Sequence, residues 1–433
     1  MGLGVDRFRN IQSAMCDRCA HANVVKHVPV LPDALLVGLF FCLSGGVVLI
    51  VGDVESSLLA KVFWSLIYLI VITLIYHSSR PVLDAIIRNP GYFIVTMTCL
   101  FSIFWSSDRS ASVTGGIGLL GTTLLAYFLT AKVEAEALLI RIATALFLLM
   151  LLNALLLLPN ASANLTGAIR YSGIFTHPNV LGRTVGLATL ILVGLSMMGH
   201  LPASIGALAG LMGGLLLIAC ESVTSTLALS LALGVLLLRR LEGQPIGGGY
   251  LASIAWVALC SFGILYLYWS PFLEWSLGLL GRSSNFTGRI PLWEGVWDAI
   301  MQRPFTGYGY EAFWSGEPVL GKRIHAYAGW SSPNAHNGLL DMALHIGLFG
   351  VMVFVCTVGR SFFLGFKLTF MRDESVGILF FCILIYLLVL GLTESCYLTH
   401  NSDKWVLFVL CSAFIERSYA RRHQAASCSI KAN

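Results

Sequence analysis

Only 11% of the 433 residues are charged, against roughly a quarter in an ordinary soluble domain. With 57% apolar residues and a mean hydropathy of +0.81, the chain has too little polar surface to face water, which excludes a soluble enzyme and indicates an integral membrane protein. The net charge of +5 is accounted for by where Lys and Arg sit around the membrane segments, so it carries no nucleic-acid footprint.

Residues 1–30 are polar and basic, with no apolar core ahead of a small-residue cleavage site, so no cleavable signal peptide is predicted. Cys16 and Cys19, followed by His21 and His27, have metal-like spacing but lack the second, separated ligand pair of a zinc ribbon. Cys42, Cys99, Cys220, Cys260, Cys356, Cys382 and Cys411 fall within apolar runs, where cysteine behaves as a small hydrophobe.

From residue 34 onward, apolar runs long enough to cross a bilayer recur. About twelve spans are predicted, near 34–52, 60–76, 92–106, 112–130, 138–158, 179–198, 202–220, 223–238, 250–269, 337–357, 376–393 and 404–416. Cytoplasmic loops collect Lys and Arg, and 17 of the 27 basic residues fall on the side of the N-terminus, which predicts both termini in the cytoplasm. The organisation expected is a cytoplasmic segment 1–33, spans 1–9 over 34–269, an outer loop 270–336, spans 10–12 over 337–416 and a cytoplasmic tail 417–433.

The outer loop is long and aromatic, and long loops are uncommon unless functional. Trp275, Trp293, Trp297, Phe313, Trp314 and Trp330 give it mass enough to pack or to lie in the interface. Within it, residues 290–303 place Leu292, Val296, Trp297 and Ile300 on one helical face, with Pro291 in the first turn and Pro304 just past the end, which predicts a short helix. The sequons at Asn160, Asn164 and Asn285 are chance-level matches.

Several side chains on the outer side could carry chemistry. Arg170, His177 and Asn179 stand at the mouth of the sixth span, with Arg183 one turn further in; a cation there either snorkels to the interface or serves a substrate. Arg289 starts the loop helix, where free backbone N–H groups and a guanidinium together suit an anion, the alternative being a surface pair with Glu294. His336, with Asn337 beside it, precedes the tenth span and has the pKa range to accept a proton from an attacking hydroxyl. Asp341 and His345 share the next helical face and are expected to form a polar support. Glu221, Ser222, Thr224, Ser225 and Thr226 interrupt the apolar run between spans seven and eight, as a sugar-contacting cavity lining or as a tight turn.

Gly288-Arg289, Leu292-Trp293, Pro304, Gly307-Tyr308-Gly309, Ala335-His336-Asn337, Gly347 and Gly350 occur in an order that resembles the O-antigen ligase and polysaccharide polymerase superfamily. Phe104-Trp105-Ser106-Ser107-Asp108 and the run Arg170, Gly173, Phe175, His177-Pro178-Asn179 fit as well, and within the superfamily the chain is most similar to bacterial exopolysaccharide polymerases of the succinoglycan type. The resemblance implies an all-α polytopic membrane C-type glycosyltransferase fold of about twelve helices with one long periplasmic loop, in the bacterial inner membrane. It implies a metal-independent enzyme without cofactor, whose donor is an oligosaccharide on undecaprenyl pyrophosphate. By motif, Arg289 would hold the pyrophosphate and His336 would orient or deprotonate the acceptor hydroxyl. Relatives often carry a second basic residue between spans seven and eight, where this chain has Ser225, so Arg170 or Arg183 is the expected substitute.

Three functions are open at this point: a polymerase of exopolysaccharide repeat units, a ligase moving the glycan to lipid A core, and a secondary transporter or flippase. The last predicts paired helix breaks and internal symmetry, which the sequence does not show. The basic ends 1–33 and 417–433 suit chain-length regulators or export proteins as partners, and suit anionic inner-membrane lipids equally.

Overall fold

The computed structural model describes residues 32–51, 58–157, 170–241, 289–370 and 375–432. The Cys16 and Cys19 motif, the sequons, the ninth predicted span and loop residues 270–288 lie outside them. Among the described residues the regular structure is helical throughout, and the chain is an all-α, multi-pass membrane protein.

Numbering the helices longer than two turns, the order is α1 Asp33–Phe41, α2 Leu58–Tyr76, α3 Ser79–Arg88, α4 Gly91–Phe101, α5 Arg109–Lys132, α6 Ala135–Leu157 and α7 Pro178–Met197. It continues with α8 Ala203–Cys220, α9 Val223–Leu241, α10 Arg289–Gln302, α11 Pro318–Ala328, α12 Gly338–Leu368, α13 Ser375–Gly391 and α14 Asp403–Ala432. Each predicted span inside the described residues overlaps one of these helices, but the first, 34–52, is broken: α1 stops at Phe41 and is followed by a π-helical stretch Cys42–Gly46 in which Gly45 has φ +105°. Six of them, α2, α5, α6, α7, α8 and α12, are long and apolar enough to cross a membrane alone. The segment around Arg80 and Arg88, expected as a plain connection, is instead the helix α3, bent 97° from the α4 arm.

The helices divide by what surrounds them. Leu66, Leu69, Ile70 and Ile72 on α2 and Leu211, Leu215 and Ile218 on α8 are exposed, as lipid-facing positions require. α13 and the first half of α14 are apolar on every side and buried from Leu379 to Leu387 and from Trp405 to Cys411, so they fill the middle of the bundle. Lipid tails are as apolar as leucine, so such helices are held by close packing and hydrogen bonds rather than by escape from water. Trp405 on α14 donates its indole N–H to Thr123 on α5 (2.8 Å), and Tyr92 on α4 shares a hydrogen bond with Ser412 (2.7 Å).

The expected loop helix exists as α10, with Leu292, Val296, Ala299 and Ile300 buried in a small second core beside Tyr308, Phe313 and Ile324. Trp297 departs from the expectation: it is 50% exposed, because it lies more than a quarter of a turn off the line through Leu292, Val296 and Ile300.

α12 is broken at Ile346–Gly347, and the segment after α10 fills the break. The backbone N–H groups of Tyr308 and Gly309 donate to the carbonyls of Leu344 and His345 (2.7 and 3.0 Å), while Leu348 N–H donates to Pro304 O (2.7 Å). Backbone groups freed by a break inside a membrane helix need such partners. Gly347 has φ +69°, and a Cβ there would come within 2.2 Å of Phe305 O, so only glycine fits. Gly347→Ala is expected to cost about 1–3 kcal/mol from the backbone conformation alone, with the overlap added. Gly359→Ala, on the same helix with nothing within 4 Å, should leave the midpoint of thermal unfolding in lipid nanodiscs nearly unchanged while Gly347→Ala lowers it.

Residues 105–112 clamp the inserted segment from the other side. Trp105 Nε1 donates to Thr306 O (2.9 Å), Ser107 N–H to Tyr308 O (2.9 Å), and Ser112 Oγ to Tyr310 O (2.7 Å). Asp108 caps α5 through Ala111 N–H (3.1 Å) and accepts from Ser315 Oγ (2.8 Å).

Candidate functional site

The residues with chemistry gather at the end of the bundle where α7 and α12 begin and α8 and α13 finish. Local packing sets each one. Tyr171 donates from its N–H to Ala219 O (3.0 Å) and from its hydroxyl to Asn153 O (2.7 Å), while Ile174 N–H donates to Asn153 Oδ1 (3.0 Å). That fixes the approach to α7, whose N-cap is His177: its Nδ1 accepts from Asn179 N–H (3.1 Å), which requires the neutral ring with the proton on Nε2.

Across the site, Asn337 caps α12, accepting from Leu339 and Leu340 N–H (3.0 and 3.2 Å), and its amide donates to Leu392 O (3.1 Å). His336 before it has φ +48°. That conformation is held by neighbours: His336 N–H donates to Asn334 Oδ1 (3.0 Å), Ala335 N–H to Asp341 Oδ1 (2.9 Å), and Trp293 Nε1 to Ala335 O (2.8 Å). Ser395 donates to both Asn334 Oδ1 (3.1 Å) and Asp341 Oδ2. Asp341 and His345, expected to support one another, thus hold different segments, since His345 Nδ1 accepts from Glu311 N–H (3.1 Å).

At the centre stands Glu394, 8% exposed at the end of α13. Asn179 Nδ2 donates to its Oε1 (2.7 Å), Arg289 Nη2 lies 3.5 Å from the same oxygen, and Arg183 Nη1 is 4.0 Å from Oε2. Arg289 also donates through Nη1 to Thr393 O (2.8 Å), and Thr393 shares a hydroxyl hydrogen bond with Thr224 (2.7 Å). Arg170 closes the chain: its Nη2 donates to Asn179 Oδ1 (3.0 Å), Cys220 O (2.9 Å) and Glu221 O (3.0 Å), with Glu221 Oε2 3.7 Å from Nε. Arg289 does not pair with Glu294, which accepts instead from Tyr327 OH (2.9 Å).

Seven of the nine candidates, Arg170, His177, Asn179, Arg183, Glu221, Arg289 and His336, therefore surround one carboxylate. Asn337 frames the site by capping α12 beneath His336. Ser225 faces inward: it is buried and takes a hydrogen bond from Ser222 Oγ (2.8 Å), so its hydroxyl supports the α8–α9 turn.

Three guanidiniums against Glu394 and Glu221 leave an excess of positive charge beside two imidazoles whose charged forms burial already disfavours. Burial holds His336 below its ordinary range; Glu394 pulls upward, and Arg289, His177 and Arg183 press it down further. His177 is lowered for the same reason, burial first, with Glu394 opposing and the arginines adding. The Nδ1 of His336 is buried with no hydrogen-bond partner among the described residues, as is Nε of Arg183. A neutral imidazole with an unused lone pair or N–H, beside cations, can take a proton from a hydroxyl while the cations hold an anion.

Sequence reasoning missed Glu394. Its trace was small: the one carboxylate between Glu374 and Asp403, set in Thr393-Glu394-Ser395 at the foot of an apolar run. Nothing nearby in the chain shows its importance, because its partners come from α7 and α10.

A family profile described as O-antigen ligase matches residues 207–355, a stretch that holds Arg289, His336, Asn337 and the broken α12. Over that stretch the chain is similar to the O-antigen ligase family. The exopolysaccharide production protein ExoQ of Rhizobium meliloti (strain 1021) is 25% identical over 309 residues, covering 70% of this chain and 71% of that protein. Members of the O-antigen ligase superfamily are membrane enzymes, ligases or polymerases, that act on lipid-linked oligosaccharides. The matched stretch supplies only part of this site, since Arg170, His177, Asn179 and Arg183 lie before it and Glu394 after it.

Proposed function

We propose that the protein is an exopolysaccharide polymerase, a metal-independent glycosyltransferase that joins oligosaccharide repeat units carried on undecaprenyl pyrophosphate. The observation that carries this reading is the gathering of Arg170, Arg183 and Arg289 around Glu394 with His336 alongside. A lipid pyrophosphate is already a good leaving group, so the enzyme's work is to position two substrates and to neutralise charge on the departing oxygen. Arg289 and Arg183 would bind the pyrophosphate, with Arg170 and Asn179 extending the contact, and three guanidiniums supply the countercharge that a metal provides elsewhere. The acceptor hydroxyl attacks the anomeric carbon of the donor sugar, its proton passes to His336, and the bond to the pyrophosphate oxygen breaks. Glu394 keeps the guanidiniums in place until the donor displaces it.

The topology that goes with this reading has about twelve spans in the bacterial inner membrane, both termini in the cytoplasm and the site in the periplasm. The relative's name supports exopolysaccharide as the product class. Chain-length regulators and export proteins are the partners proposed for the basic ends.

The test is to size the glycans made by purified protein in nanodiscs, with chelator present, from a polyprenyl-pyrophosphate-linked repeat unit. A ladder of multimers supports the polymerase. Product only after lipid A core is added assigns a ligase, and no product from a verified donor returns the question to transport. In the same assay Glu394→Gln is expected to lower kcat roughly tenfold or more, because the guanidiniums lose their orientation. It should also lower the donor KM, because the phosphate no longer competes with a carboxylate.

A further inference from the structure

A second polar cluster stands at the same end of the bundle, between the start of α5 and the break in α12. Glu311 follows the segment inserted into the α12 break and has φ +58°; its carboxylate Oε1 is 3.8 Å from His400 Nδ1. His400 Nδ1 is 3.3 Å from Tyr310 OH, and the buried Tyr310 ring meets both His345 and His400 edge-on, with centroids 5.2 and 6.3 Å away. His345 Nδ1 accepts from Glu311 N–H, which leaves the proton of its neutral ring on Nε2.

The floor of this cluster is the glycine-rich start of α5. A Cβ at Gly115 would come within 2.9 Å of Glu311 Cγ and of the Tyr310 ring, and one at Gly118 within 3.0 Å of His400 Cδ2. Small residues at these two positions let the carboxylate and the imidazole lie against the helix. Glu311 and His400 remain 42% and 33% exposed, so they present polar atoms to whatever occupies the space above.

The chemistry suits neutral hydroxyls. Among the described residues the ion-pair partner of Glu311 is His400, with no arginine or lysine, so the cluster would repel the phosphates that the Glu394 site attracts. A carboxylate accepts two hydroxyl protons at once, and imidazole N–H and lone pair serve as donor and acceptor, which is how sugars are gripped without charge. One connection, between α13 and α14, carries Glu394 near its start and His400 near its end, so the two clusters are fixed relative to each other by the same short piece of chain.

We propose that Glu311 and His400, with His345 behind them, form a binding subsite for the hydroxyls of the acceptor glycan. The inference rests on the glycosyl-transfer reading above, and binding can be tested apart from transfer. The probe is the free oligosaccharide repeat unit cut from the source bacterium's own exopolysaccharide, titrated against full-length protein in nanodiscs by microscale thermophoresis. Wild type and Arg289→Ala are expected to bind it alike, while Glu311→Gln and His400→Gln bind about tenfold more weakly, the loss of a hydrogen bond involving a charged group. Gly118→Ala, which crowds the His400 ring from beneath, should weaken binding in the same direction with an unchanged thermal midpoint.

Equal binding by wild type, Glu311→Gln and His400→Gln, or no binding by wild type, overturns the subsite. Weakening in Arg289→Ala as large as in Glu311→Gln also overturns it, because the glycan would then sit at the arginine site. Loss of binding in the variants without any transfer by wild type keeps the subsite and removes the polymerase. Where transfer occurs, the same variants raise the acceptor KM and leave the donor KM unchanged.

Discussion

Arg289→Ala is expected to abolish the multimer ladder, with a loss of about a hundredfold to a thousandfold in turnover. Arg289 is the cation that reaches both Thr393 O and Glu394, and it stands in the first turn of α10, where backbone N–H groups have no partner within the helix. Removing it takes away a fork of donors as well as a charge. Arg289→Lys restores the charge without the fork, so it should recover only a small part of the activity. Rates measured in a single turnover with saturating donor separate this loss from weaker donor binding. Wild-type turnover by Arg289→Ala would place the pyrophosphate elsewhere, with Arg170 and Arg183 as the alternatives.

His336→Ala is expected to lower turnover by about a hundredfold to ten-thousandfold, the range for loss of a general base. The pH dependence has a definite sign. Burial depresses the folded pKa of His336, so the neutral, proton-accepting form persists below the ordinary histidine range and is lost only as the pH falls through that depressed value. The acid limb of the wild-type rate profile should therefore lie below about pH 6.5, and His336→Ala should lack it. Glu394→Gln removes the one neighbour that pulls this pKa upward, so the limb should move to still lower pH. An acid limb unchanged in His336→Ala would assign the titration to another group.

The sequence pointed to Arg170, His177, Asn179, Arg183, Arg289 and His336 together, because five of them lie at the mouths of two spans and Arg289 opens the loop helix between them. What was hidden depends on contacts far apart in the chain. Glu394 meets Arg289 across 105 residues and Asn179 across 215, and no local pattern records such a meeting. The inserted Pro304–Gly309 segment read as ordinary loop, since periodicity describes a helix and not the backbone groups a broken helix leaves open. Gly307, Gly309 and Gly347 were visible as motif glycines, but their purpose, close approach of two backbones, needs both partners at once. α3 reads as connection because its apolar stripe is short and is interrupted by Arg80, Asp84 and Arg88.

The burial of α13 and α14 bears on how the protein is made. Ribosomes release helices in chain order, and here the two that occupy the interior follow the helices that enclose them. Until they arrive, α5, α7, α9 and α12 must wait in the bilayer with the faces meant for α13 and α14 wetted by lipid. Glu394 and His400 come in with the α13–α14 hairpin, so a chain made only through α12 already holds Arg170, Arg183 and Arg289 but not the carboxylate that restrains them. Biosynthesis thereby orders the assembly of the site: scaffold first, guanidiniums next, and the carboxylate that gathers them only once α13 has been made.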